Sequence, residues 1–171
     1  MCIRDRTTKE GETYSADVII STIPWMEFAK ITGMPQELKE KIGHLKYSSV
    51  QTAYFPDNLD TEAQWVYYPD PELSYHRILV RHNFCNGSKG YWTECNSTRV
   101  DETTESTFQY MNQYAYPLNT IGKPEIMKEL LEWAKTRRVY GLGRWGEHQH
   151  YNSDLVVELA LKMAEELNSA Q

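Results

Sequence analysis

The residues best placed to do chemistry lie in one stretch, 138–167, which reads RVYGLGRWGEHQHYNSDLVVELALKMAEEL. A short apolar strand (Val139, Tyr140, Leu142) runs with a glycine turn (Gly141, Gly143) into a polar and aromatic segment, Arg144 to Tyr151. A helix follows, opening at Asn152-Ser153-Asp154, all good capping residues. The N–H groups at a helix start are unpaired and carry partial positive charge. A strand, a glycine turn and a polar segment leading into that start can therefore hold something electron-rich. Arg144 adds a fixed positive charge and a planar fork of donors. The same pattern also suits a plain helix packed on a sheet, with Arg144 in a surface ion pair. His148 and His150 alternate, so an extended backbone would put both on one face. No third ligand stands at useful spacing, and no metal site is expected.

Several elements must position these groups. The C-terminal helix places Leu155, Val156, Leu159, Met163 and Leu167 on one broad face, with Val157 and Leu161 beside it and Glu158, Lys162, Glu165 and Glu166 on the polar side. Upstream, residues 16–23 (ADVIISTI) form a β-branched run of the kind found in buried strands, stopped by Pro24. Such a strand needs neighbours for its backbone groups. Residues 25–42 read as helix, interrupted around Gly33-Met34-Pro35. Strands are expected at 48–55, 64–68, 75–84 and 89–96, joined by turns, which points to an antiparallel sheet. The spacing of Thr104, Phe108 and Met111 predicts a helix over 101–114, capped by Asp101, with Pro117 closing the region. Residues 124–135 make another helix, with proline in its first turn.

The totals narrow the class. Apolar residues make up 40% and charged residues 25% of 171, so a sizeable core is possible and disorder is not indicated. A net charge of -6 argues against general nucleic-acid binding. No apolar run is long enough to span a bilayer and no secretory signal is visible. Cys2, Cys85 and Cys95 lack metal-ligand spacing. Cys85 and Cys95 could pair across neighbouring strands, but reduced thiols of a cytoplasmic protein are the expectation. The 12 tyrosines and 5 tryptophans suit a pocket that stacks on rings and hydrogen-bonds to hydroxyls, as well as the packing of a β-rich domain. Residues 1–6 (MCIRDR) read as a translated sequencing-library adaptor and are set aside, with a larger N-terminal part expected to be missing.

Gly143-Arg144, the aromatic and polar run, Asn152-x-Asp154 and the following helix resemble the C-terminal flavin motif of UDP-galactopyranose mutases. The wider group of protoporphyrinogen-oxidase-like and amine-oxidase-like FAD proteins is similar. The resemblance implies that Gly143, Arg144, Asn152, Ser153, Asp154 and Leu155 lie against the flavin, the helix start facing its pyrimidine ring, and that Arg144 reaches the substrate diphosphate. Trp65-x-Tyr67-Tyr68-Pro69, Tyr75-x-Arg77 and Asn83-Phe84 look like the substrate-domain sheet of the eukaryotic-type mutases. Tyr67 and Arg77 keep the family's interval, and a strand would fix the reach of Arg77 toward a diphosphate. Otherwise Arg77 is a solvent-facing arginine with Arg81 on the same face. Tyr114-Ala115-Tyr116-Pro117 resembles the Tyr-Pro element whose tyrosine, here Tyr116, approaches the diphosphate. Failing that, Tyr116 is an aromatic core residue at a helix end. Two departures touch the substrate. Phe84 and His150 stand where the family carries tyrosines. His150 can still donate to a phosphate or exchange a proton near neutral pH, or be a surface histidine.

The resulting expectation is an α+β chain: an antiparallel substrate-domain sheet with flanking helices, plus the returning strand and helix of a Rossmann-like FAD domain. Residues 7–24 would be a strand of the FAD domain, 25–137 the substrate-binding domain and 138–171 the return. No dinucleotide-binding Gly-x-Gly-x-x-Gly fingerprint is expected, since the family carries it at the N-terminus. The resemblance implies an FAD-dependent enzyme that isomerises a sugar nucleotide, such as a UDP-sugar, through a flavin–sugar adduct. The alternatives are an FAD-dependent oxidoreductase of the protoporphyrinogen oxidase or amine oxidase type, which His150 and Phe84 favour, and a non-enzymatic β-rich binding module.

Overall fold

A computed structural model describes residues 5–100 and 105–169. The chain divides into two compact units, one made of the residues up to 47 with those from 116 onward, the other of residues 48–115.

In the first unit an antiparallel hairpin joins β1 (Asp5–Thr7) to β2 (Thr13–Ser15), with Gly11 at a φ of 90° in the turn. The hairpin takes in Asp5 and Arg6, two of the six residues set aside above. Strand β3 (Ile19–Ser21) covers only the middle of the apolar run at 16–23. Helices α1 (Trp25–Lys30) and α2 (Gln36–Ile42) each start directly after a proline, Pro24 and Pro35, whose missing N–H is no loss at a helix start. The expected break between them lies where it was placed.

The second unit is built on a five-stranded antiparallel sheet, two of whose strands run on into the first unit at Tyr47 and at Tyr116 and Pro117. Its strands are β4 (Tyr47–Phe55), β5 (Trp65–Tyr67), β6 (Tyr75–Leu79), β7 (Tyr91–Asn96) and β8 (Phe108–Pro117), in the order β5-β6-β7-β4-β8. Two expectations fail here. The strand foreseen over 75–84 stops at Leu79, and residues Arg81–Phe84 form a helical turn, α3. The Asn83 amide donates to the carbonyls of Thr61 (2.7 Å) and Ala63 (2.9 Å), which ties the turn down and takes Arg81 off the strand that carries Arg77. The helix foreseen over 101–114 is not formed where it can be seen, since residues 108–117 are strand; Asp101 and Thr104 lie outside the described residues. Phe108 and Met111 imitate helical spacing, but the open edge of β4 supplies partners. Thr107 N–H donates to the Tyr54 carbonyl and the Ser49 hydroxyl to the Gln113 carbonyl. Cys85 is exposed and Cys95 buried, and the two are not joined to each other by a disulfide.

The chain re-enters the first unit with α4 (Lys123–Lys135), β9 (Val139–Gly141), the short turn α5 (Gly143–Gly146) and α6 (Ser153–Ser169). Pro124 sits in the first turn of α4, as its fixed φ favours. Strands β3 and β9 pair in parallel, Ile19 opposite Val139 and Ser21 opposite Gly141. The core beneath them joins Trp25 and Phe28, Leu38 and Ile42, and Met127, Leu130 and Ala134. Leu130 is wholly buried, which contributes about 2 kcal/mol from its apolar area. The mixed α+β class is therefore as expected.

Candidate functional site

Close backbone packing aims the stretch after β9. A side chain on Gly141 would overlap the Gly146 carbonyl, and one on Gly146 would overlap the carbonyl of Ser21. The Trp25 indole N–H donates to the Gly146 carbonyl at 2.8 Å, and Leu142 N–H to the Ser21 carbonyl at 3.0 Å. Gly143 then turns with a φ of 76°, a region most side chains avoid, and sits against Val156 of α6. These contacts carry the chain from the strand pair to the start of α6.

Gly141, Gly143 and Gly146 do fall at Gly-x-Gly-x-x-Gly spacing after a strand, contrary to the expectation of none. A dinucleotide site needs that pattern to open a full helix. Here only the four residues of α5 follow, and Gly141 and Gly146 serve the backbone packing just described.

An open depression of about 440 Å³ lies beside this corner. Gly143, Arg144, Trp145, Tyr151, Ser153 and Val156 are among its lining residues. Arg144 donates from Nη2 to the Tyr151 carbonyl at 3.0 Å and stands 5.2 Å above the Tyr116 ring. Tyr116 in turn packs on His150, with ring centroids 5.1 Å apart. Three of the residues singled out in the sequence, Arg144, Tyr116 and His150, thus form one stack, and Gly143 and Ser153 share the depression with Arg144. Asn152, Asp154 and Leu155 are exposed at the start of α6, where the Asn152 carbonyl accepts from Val156 N–H.

The two histidines do not share a face. His148 is fully buried at a φ of 49°, and its Nε2–H donates to the Lys46 carbonyl at 3.0 Å, while His150 is exposed. The left-handed backbone at His148 breaks the alternation that an extended segment would have. Burial lowers the His148 pKa, with the nearby Lys123 charge acting the same way and the bond to Lys46 opposing. Burial raises the pKa of Glu147, against the pull of its bond from Gly143 N–H, and also raises that of Tyr151. No cluster of metal-ligating groups occurs among the described residues.

Tyr67, Arg77 and Phe84 lie in the second unit. Tyr67 and Arg77 are register partners on β5 and β6. Arg77 forms a close ion pair with Glu94 of β7, and its guanidinium lies 4.7 Å from the Trp65 ring centre and 5.8 Å from that of Tyr67. Glu94 was not foreseen as a partner; its signal was an acidic side chain on a strand of the same sheet. Phe84 sits edge-on to Trp65 at 6.4 Å. Sequence reasoning also passed over Lys123 and Trp145. Nothing in an isolated lysine or tryptophan says that the fold will draw it inward.

No family model matches the sequence, and no curated protein matches it. Solved structures do. The chain is similar to a reduced UDP-galactopyranose mutase, with a TM-score of 0.69 at 21% identity over 84% of this chain and 38% of that one. It is also similar to a protoporphyrinogen oxidase-like protein from Exiguobacterium sp. 255-15, with a TM-score of 0.55 at 12% identity over 82% of this chain and 38% of that one. The likeness is one of fold, and this chain spans well under half the length of either relative. No helix among the described residues is long and apolar enough to cross a membrane.

Proposed function

We propose that the chain is the substrate-binding and ring-capping portion of an FAD-dependent enzyme that isomerises a nucleoside-diphospho sugar. The observation that carries this reading is the Arg144–Tyr116–His150 stack, whose Arg144 also lines the depression. A fixed guanidinium beside a phenol and an imidazole offers donors suited to a diphosphate. The fold likeness supports the same reading.

The residues present suit a flavin ring. Leu142, Val156 and Val157 line the depression with apolar surface, and Gly143 packs closely on Val156 beside them. Asn152 to Leu155, at the start of the 17-residue α6, would meet the polar edge of the ring. When bound, FAD would supply the covalent chemistry. Arg144 would orient the diphosphate and neutralise its charge, and Tyr116 and His150 would donate to its oxygens. In the second unit, Arg77 and Tyr67 would offer donors to an anionic group, in competition with Glu94 for the guanidinium. Residues 7–24 and 138–171 would belong to the FAD domain and 25–137 to the substrate domain. The dinucleotide end of FAD would be held by polypeptide outside these residues.

The test uses the complete reading frame that contains this chain. Its flavin is reduced, UDP-galactopyranose is added, and the furanose product is sought. Turnover that requires reduced flavin is the expected result, and Arg144→Ala should weaken UDP binding by about 2 kcal/mol, as loss of a charge-assisted bond does. A yellow protein without turnover would favour the oxidoreductase reading, which Phe84 supports because it lacks a phenol hydroxyl. A colourless protein would overturn the flavin assignment and leave a binding module.

A further inference from the structure

We infer that Lys123 is a positioning residue, a buried ammonium that fixes the loop corner at His148 and through it the Arg144–Tyr116–His150 stack. The inference rests on the diphosphate reading for its ligand, but not for its geometry. Lys123 opens α4 and is only 5% exposed. Its Nζ donates to the His148 carbonyl at 3.1 Å and to the Gln149 side-chain oxygen at 3.0 Å, and it makes a close bond to the Asn119 side-chain oxygen. All three donors of the ammonium are used. All three acceptors are neutral, and burial lowers the pKa of the lysine. A buried cation held only by neutral oxygens contributes little to stability by charge pairing, so its geometry is the more telling feature.

That geometry is specific. His148 holds a left-handed backbone that β-carbon sterics disfavour, and such a conformation persists only where its surroundings hold it. Here the ring is tied to the Lys46 carbonyl and the backbone carbonyl to Lys123. The corner sends the chain back so that Gln149 N–H donates to the Arg144 carbonyl at 2.9 Å and Arg144 Nη2 donates to the Tyr151 carbonyl. His150, between those two anchors, is thereby set against Tyr116. The hydrogen bonds of Lys123 go to Asn119, His148 and Gln149, which lie outside the stack. The lysine acts through residues 148 and 149 on the loop that presents the stack.

The test is Lys123→Met and Lys123→Arg in the complete reading frame that contains this chain, read by UDP titration and by amide exchange. Lys123→Met should weaken UDP binding about tenfold, as misplacement of a binding group does. It should also speed exchange of the Gln149 amide about tenfold while the Leu130 amide in α4 keeps its rate. Lys123→Arg should restore both. If Lys123→Met does not fold, Gln149→Ala removes one acceptor of the ammonium and should show the same pattern on the Tyr151 amide with a smaller amplitude. Unchanged loop exchange in these variants, or acceleration of Leu130 by the same factor, would overturn the inference. If the parent chain fails to bind UDP, the diphosphate reading falls, and the exchange pattern alone decides the role of Lys123.

Discussion

Helices α4 and α6 carry apolar stripes of similar design, yet α4 buries Met127, Leu130 and Ala134 whereas α6 buries none of its residues. In α6, Leu155, Val157 and Leu161 are 38%, 59% and 63% exposed. The α4 stripe meets α2 and β9, which close a core around it. On α6, Val156 lies against Gly143, and Leu159, Met163 and Leu167 are partly buried, while Leu155, Val157 and Leu161 stay exposed. The difference shows that a helical stripe states a demand for a partner, and that only tertiary context says whether the demand is met. It also separates two kinds of residue in one unit: those buried in its core, and those that the described residues leave exposed.

The largest expected effect comes from breaking the covered side. Leu130→Ala should lower the free energy of unfolding by about 3 kcal/mol, measured by urea denaturation. Leu161→Ala, at an exposed position beside the α6 stripe, should change it by less than about 0.5 kcal/mol. Equal losses would mean that Leu161 is covered in solution.

A smaller effect sharpens the uncovered side. Val157→Lys with Leu161→Lys should reduce the binding of a hydrophobic dye such as ANS to the folded chain while leaving its urea midpoint nearly unchanged. A midpoint that falls sharply would show that these side chains are packed.

The smallest effect is a pH dependence on the α4 side. Burial lowers the His148 pKa from the ordinary 6.5. The unfolded chain therefore takes up a proton at a pH where the folded chain does not, and stability should fall as pH drops through 6.5 toward the lower folded-state value. Glu147, whose pKa is raised from 4.5 by burial, acts in the opposite sense nearer its own range. Lys123, lowered from 10.5, gains stability only as pH rises in the alkaline range. The urea midpoint of the parent should decline between about pH 7.5 and about pH 5.5, and His148→Gln should flatten that slope. A slope identical in the two proteins would assign it to other groups.

Much of this was legible in the chain. Prolines at 24, 35 and 124 marked three helix starts, and the capping run at 152–154 marked the fourth. Strands with clear alternation and flanking turns were found to within a few residues. Residues 108–117 were not, because Phe108 and Met111 satisfy a helical period while Tyr110, Tyr114 and Tyr116 satisfy a strand, and the free edge of β4 decides between them. At the candidate site, glycine and arginine types pointed to the corner that borders the depression. The burial of His148 and Lys123 did not show, because it depends on a left-handed turn at a non-glycine residue and on a carbonyl about a hundred residues away in sequence. Nor did the pairing of Arg77 with Glu94, which depends on which two strands become neighbours.

The contact between Gly141 and Gly146 has a consequence for sequence space. Two peptide groups touch there with no room for a methyl between them, and the Ser21 carbonyl closes the third side. A library randomised over residues 139–148 and sorted for folded protein should return glycine at both positions in nearly every survivor. Replacing one could not be rescued by replacing the other, because each side chain would collide with main chain rather than with a side chain. The two positions are thus independent vetoes rather than a compensating pair, and the freedom of that hexapeptide to diversify lies at 142, 144 and 145.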